Sequence, residues 1–271
     1  MGITLFYNHI VQASKQRHIP IHDVMKQVAQ WGVTGVELDH DEIGADPQHM
    51  KLGLDQAGLT VSLMYGFFDF VNDTNIQDGY DFIDRAVYMG APKVLIIPGF
   101  AKVGDTNETR EIAKHRMAQA LTQLVDYAAQ HKITVTMEDF DDELATYRSS
   151  EELLWFMTKV PGLACTFDTG NFLYCGEDVL DAFDCVKDYI VHVHCKDRSL
   201  QEQQGVSPKI TMKGTALYPS PVGEGVIPIE AIIEKLQGIG YQGNFAIEHF
   251  DADDHWEYIH RSVRFLQSKI N

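Results

Sequence analysis

Basic residues are scarce in this chain: 22 Lys and Arg face 39 Asp and Glu over 271 residues, a formal charge of -17. That balance works against nucleic acid or an anionic membrane as a general partner and favours divalent cations. No apolar run approaches the roughly 18 residues of a membrane span. The opening Met1-Gly-Ile-Thr-Leu-Phe-Tyr7 lacks the charged start and apolar core of a secretory signal, so the expected location is cytoplasmic. The four cysteines, Cys165, Cys175, Cys185 and Cys195, contain no C-x-x-C pair, which excludes the usual zinc units. Cys165 and Cys195 lie an odd number of positions from Asp168 and His194, so strand alternation turns them toward the helices as buried thiols. G-x-S-x-G, G-x-x-x-x-G-K-[ST], H-E-x-x-H and G-x-G-x-x-G are all missing, and Gly223-Glu-Gly225 is too short for a nucleotide loop.

What is present is an alternation of two periodicities. Apolar runs rich in β-formers fall near 3–8, 33–38, 59–65, 93–98, 133–138, 163–168, 189–195 and 244–249, mostly continuous rather than alternating, as strands buried on both faces read. Helical stretches fall near 21–31, 46–57, 76–89, 107–131, 150–159, 178–187, 228–238 and 253–268. Asp46-Pro47 and Ser149-Ser150-Glu151-Glu152 look like helix starts, and Gly32, Gly58, Gly90 and Gly240 like C-terminal caps. No Ser/Gly/Pro linker divides the chain. Eight repeats over residues 1–271 predict one α/β domain, a (β/α)8 TIM barrel, with an open doubly wound sheet as the competitor. One long connection, from Lys196 to about Ile227, leaves the C-terminal end of the seventh strand and is expected to form a partial lid or an oligomer contact.

Four strand runs end in groups that bind hard cations: Ile133-Thr-Val-Thr-Met-Glu138, Leu163-Ala-Cys-Thr-Phe-Asp168, Tyr189-Ile-Val-His-Val-His194 and Phe245-Ala-Ile-Glu248. In a closed barrel these ends converge, so Glu138, Asp168, His194 and Glu248 are the expected ligands of one divalent ion. Parity selects Glu138 over Asp139 and Glu248 over His249, which is expected to point outward. His192 shares the face of His194 one layer deeper and is expected to orient it, with direct contact to ion or substrate as the alternative. Asn171, Lys196, Arg198 and the strand-end Glu37 complete the substrate-side candidates with His192, and Asn8 and His9 are weaker pocket candidates.

Met137-Glu-Asp-Phe140, Phe167-Asp-Thr-Gly-Asn-Phe172, His192-Val-His-Cys-Lys-Asp-Arg198, Pro221-Val-Gly-Glu-Gly225 and Ala246-Ile-Glu-His249, in this order, resemble the xylose-isomerase-like barrel superfamily of sugar phosphate isomerases and epimerases. The resemblance implies one divalent metal (Mn2+, Mg2+, Co2+ or Zn2+) on residues matching Glu138, Asp168, His194 and Glu248. It also implies that the two glutamates exchange a proton with substrate carbon through a metal-stabilised enediolate, and that Arg198 and Lys196 lie near substrate. The expected activity is that of a sugar or sugar phosphate isomerase or epimerase on a small polyol, with homo-oligomers allowed. Alternatives are an inosose-dehydratase-like lyase and a non-catalytic sugar-binding barrel. Asn171 stands where many ketose 3-epimerases have histidine, and the Lys-Asp after His194 is closer to the hydroxypyruvate-isomerase and inosose-dehydratase branches. The extra histidines and Asp-x-His pair of the apurinic endonucleases are absent.

Overall fold

The computed structural model describes every residue except Ala45, Thr74 and Asn271. The first half of the chain runs β1 (Ile3–Phe6), α1 (Tyr7–Arg17), α2 (Ile21–Trp31), β2 (Val33–Asp39), α3 (Pro47–Ala57), β3 (Thr60–Phe67), α4 (Gln77–Met89), β4 (Lys93–Ile97) and α5 (Asn107–Gln130). The second runs β5 (Thr134–Met137), α6 (Ser150–Lys159), β6 (Ala164–Asp168), α7 (Phe172–Cys175), α8 (Val179–Val186), β7 (Ile190–Ser199), β8 (Lys209–Ile210), β9 (Ala216–Ser220), α9 (Ile229–Gly238), β10 (Phe245–Glu248) and α10 (His255–Lys269).

Strands β1 to β7 pair in sequence order, and β10 pairs in parallel with both β7 and β1, which closes an eight-stranded parallel barrel. A parallel sheet must be covered on its outer face by the crossover helices, and this is why Val94 to Ile97 of β4 can be apolar without alternation. The lumen is filled rather than open. Thr166 donates from Oγ1 to Thr136 Oγ1 (2.8 Å), and Thr136 donates onward to the Val94 carbonyl (3.1 Å), a buried hydroxyl chain that satisfies polar groups inside the barrel.

Several local expectations hold for the stated reasons. Asp46 caps α3 by accepting from His49 N, Ser149 caps α6 by accepting from Glu152 N, and Gly32, Gly58 and Gly90 close their helices in the left-handed region. Gly240 also has positive φ, but Ile239 is the cap residue of α9.

Three departures matter for the site. The first run ends at Phe6, and α1 follows with no connecting loop; its N-cap is Phe6, which has no side-chain acceptor, and no acid lies in its first turn, so the usual start signals are missing. The stretch 178–187 is preceded by a separate short helix, α7. The connection after residue 196 is partly regular: β7 continues to Ser199, β9 pairs antiparallel with it, and β8 pairs with β9. Continuous apolar content was the strand signal, and the charged Lys196-Asp-Arg198 hid the continuation.

Candidate metal and active site

Glu138 follows β5 directly, Asp168 and Glu248 are the last residues of β6 and β10, and His194 lies within β7. The register sets Asp168 opposite His194 and Glu248 opposite Lys196, so residues far apart in sequence meet at the C-terminal mouth. His194 Nδ1 is 2.8 Å from Glu138 Oε2 and 3.3 Å from Glu248 Oε2. Asp168 Oδ1 accepts from the amides of Gly170 (2.7 Å) and Asn171 (2.8 Å), which leaves Oδ2 over. Gly170 is needed here for space: a Cβ would stand 2.8 Å from the Lys196 carbonyl oxygen.

The approach of Glu138 to His194 is close but off the hydrogen-bonding line. Glu138 Oε2, Asp168 Oδ2 and His194 Nδ1 are therefore three buried atoms without a hydrogen-bond partner, and these three residues can bring ligand atoms within 4.8 Å of one another. Buried polar atoms left without a hydrogen-bond partner are costly, and two carboxylates and an imidazole are a donor set for a divalent cation. The residues fit such an ion, and Glu248 stands beside them.

The deeper layer corrects one expectation. Glu37 and His192 are fully buried and do not line the mouth; Glu37 Oε1 pairs with His192 Nε2 (2.5 Å) and Oε2 with His194 Nε2 (3.0 Å). Glu37 thus sits beneath the site, orienting His194 so that Nδ1 faces the carboxylates, as a carboxylate behind a metal-ligating histidine does. Its strand end leads into the lumen below the mouth, a depth that parity does not reveal.

Above this floor is a cavity of about 400 Å3. Glu138, Asn171, Lys196, Arg198 and Glu248 line it on one side; Phe6, Tyr65, Phe67, Leu95 and Ile97 form an apolar wall, with Asp39 and Glu42 at its rim. Lys196 Nζ donates to Glu248 Oε1 (2.5 Å) and Asn171 Oδ1 (2.7 Å) and lies 3.5 Å from Asp168. Lys209 on β8 and Leu217 and Pro219 on β9 also line the cavity, so the hairpin covers part of the mouth.

Burial pushes Asp168 up to about 7, with Glu248 and Glu138 adding to the rise and Lys196 opposing it. Burial also raises Glu138, more than His194 lowers it. It would raise Glu248 as well, but Lys196 and His194 outweigh it and hold that carboxyl below the ordinary range. Burial lowers His194, yet Glu37 and Glu138 prevail and hold its proton well above the usual range. His192 goes the other way, because there burial outweighs Glu37. Glu37, raised by burial but opposed more strongly by both imidazoles, is held down at about 2.

Two residues escaped sequence reasoning. Asp141 joins Arg198 (3.1 Å) to Lys209 (3.3 Å) and so ties the hairpin to the mouth, and no spacing or motif marks it. Asp197 accepts from the amides of Gly223 (2.9 Å), Gly225 (2.9 Å) and Ile227 (3.1 Å), so the Gly-Glu-Gly turn cradles an anion belonging to the chain itself. That turn chemistry was the available signal. Asp139 is fully buried with no partner for either carboxylate oxygen, and burial beside Asp168 and Glu138 raises it well above the usual range. Cys165 and Cys195 are buried in the apolar core, and all four thiols are free.

A family model described as xylose isomerase-like TIM barrel matches residues 25–269. The chain belongs to that family. Within it, the chain is 26% identical over 252 residues to the inosose dehydratase of Geobacillus thermodenitrificans (strain NG80-2), covering 85% of this chain and 82% of that protein. Against the inosose dehydratase of Lacticaseibacillus casei it is 25% identical over 163 residues, and the chain spans only 54% of that relative's length. The fold is shared with D-allulose 3-epimerase from Methylomonas sp. in complex with D-allulose (TM-score 0.73, 14% identity, 99% of this chain and 97% of that one). It is also shared with a xylose isomerase-like TIM barrel protein from Mycobacterium smegmatis in complex with magnesium (TM-score 0.68, 18% identity, 92% and 89%). Among the described residues no helix is long and apolar enough to cross a membrane.

Proposed function

We propose that this protein is a divalent-metal-dependent isomerase or epimerase of a small polyol sugar, free or phosphorylated, working by proton transfer at carbon. The observation that carries the reading is the meeting of three unpartnered buried atoms, Glu138 Oε2, Asp168 Oδ2 and His194 Nδ1, beside a cavity that Glu138 and Glu248 line. A divalent ion such as Mn2+, Mg2+, Co2+ or Zn2+, held by Glu138, Asp168, His194 and Glu248, would supply positive charge to a bound carbonyl and its neighbouring hydroxyl.

The two glutamates have opposite tendencies, Glu138 raised by burial and Glu248 held ionised by Lys196 and His194. Carboxyls pushed apart in this way take different proton roles. Glu248 is the base that removes the proton from the carbon between carbonyl and hydroxyl, and Glu138 the acid that returns one. Asn171, Lys196 and Arg198 line the cavity and orient substrate oxygens.

A second reading is favoured by the inosose dehydratases among the relatives: loss of a β-hydroxyl after the same proton abstraction would make the protein a lyase. Manganese-loaded protein incubated with a panel of ketoses, aldoses and keto-polyols in deuterated water tests both. Solvent deuterium at carbon with an isomeric sugar supports the isomerase reading. An enone ultraviolet band supports the lyase. Retained metal with neither exchange nor turnover would make the chain a sugar-binding barrel.

A further inference from the structure

His9, in the first turns of α1, is fully buried, and its Nε2 accepts a hydrogen bond from the backbone amide of His249 (3.0 Å). The barrel ladder explains why that amide needs an unusual partner. The β1–β10 register pairs Ile3 with Phe245 and Leu5 with Ile247, and Phe245 N donates to the Gly2 carbonyl. Parallel rungs recur every two residues, so the next donors are Ile247, to Thr4, and His249, to Phe6. That last acceptor is lost: Phe6 is the N-cap of α1, and an N-cap carbonyl takes the first bond of its helix. The His9 ring stands where the rung is missing.

We propose that His9 is a positioning residue for Glu248, extending the ladder one step beyond the end of β1 and so fixing the peptide between Glu248 and His249. This rests on the reading of Glu248 as metal ligand and base. The His9 ring also packs against Phe6 (5.6 Å between centroids) and Phe250 (4.9 Å), both of which line the mouth. An ion caged among His9, His249 and His255 is the competing role for these rings, since the three residues can bring ligand atoms within 4.8 Å of one another. The rung excludes it. With the Nε2 lone pair given to the amide, the neutral ring carries its proton on Nδ1, which leaves no lone pair for a metal.

The tests compare wild type with His9→Phe, which keeps a ring but has no acceptor, and with His9→Gln, which restores a side-chain oxygen. Long-range nitrogen-15 spectra of histidine-labelled wild type should show His9 as the Nδ1–H tautomer. The His249 amide should exchange faster in His9→Phe than in wild type or His9→Gln. Manganese affinity, followed by titration, should fall about ten- to a hundred-fold in His9→Phe, with kcat reduced more than KM is raised, and His9→Gln should recover most of the loss. An Nε2–H tautomer or unchanged exchange at His249 overturns the rung, whether or not the protein binds metal. Unaltered manganese affinity in His9→Phe, or a His9→Gln variant as impaired as His9→Phe, overturns the positioning role. Wild type that binds no manganese overturns the metal-dependent function instead, while the tautomer and exchange results still decide the rung.

Discussion

The two halves of the barrel mouth are built on different principles. Strands β5, β6, β7 and β10 deliver Glu138, Asp168, His194, Lys196 and Glu248, each buried and each held by an opposite charge or an amide. Strands β1, β3 and β4 deliver Phe6, Tyr65, Phe67, Leu95 and Ile97, an apolar wall. Glu37 of β2 is the exception, and it works for the charged half by pairing with His194 from below. Charged groups can stay buried only if their partners are fixed, so the charged half must be rigid and is sensitive to single atoms. An apolar wall needs only shape, so it sets which substrates fit and tolerates change.

Breaking the charged half at the two glutamates proposed to move the proton should have the largest effect. Glu248→Gln and Glu138→Gln are each expected to lower kcat about a thousand-fold, read as deuterium exchange into substrate. Glu37→Gln, which never reaches the cavity, should weaken manganese binding about ten- to a hundred-fold by calorimetric titration, because His194 loses its support. Losses no larger than those from wall substitutions would erase the distinction between the halves.

Acid acts on the same half. Asp168 titrates at about 7, above its ordinary 3.8, so below pH 7 a metal must displace a proton. The apparent affinity should fall about tenfold per pH unit there, with proton release measurable by titration in buffers of different ionisation enthalpy. The sign for the metal-free fold is the opposite. A carboxyl raised in the folded state contributes stability that is complete below pH 3.8 and is lost as pH rises through about 7, so thermal midpoints of metal-free protein should decline over that window and recover on adding metal. Phe67→Ala, on the exposed edge of the apolar wall, should have the smallest effect: a KM change of about tenfold or less, differing between sugars, with kcat nearly unchanged.

Much of this was legible beforehand. Period-2 parity separated Glu138 from Asp139, which does not line the cavity, and strand depth placed His194 above His192. The route of Glu37 was not legible, because β2 and β7 are not neighbours in the barrel and only its closed lumen brings their side chains face to face. The helix α1 escaped for want of a capping side chain, and with it the meeting of His9 and the His249 amide across 240 positions. The hairpin of β8 and β9 escaped because β8 is only two residues long and the prolines at and just past the end of β9, Pro219 and Pro221, read as loop, and Asp141, which anchors it to the mouth, carries no motif.

By itself the sequence determined which groups stand at strand ends and on which face, because side-chain alternation and the succession of strands and helices are local properties of the chain. Barrel closure decided the rest: that Glu37 supports His194, that Lys196 lies between Asp168 and Glu248, and that a histidine from α1 replaces a lost rung beside Glu248. The physical reason is that register and the packing of the lumen join residues with no short-range relation, and the resulting charge contacts, rather than residue type, set which carboxyl holds a proton.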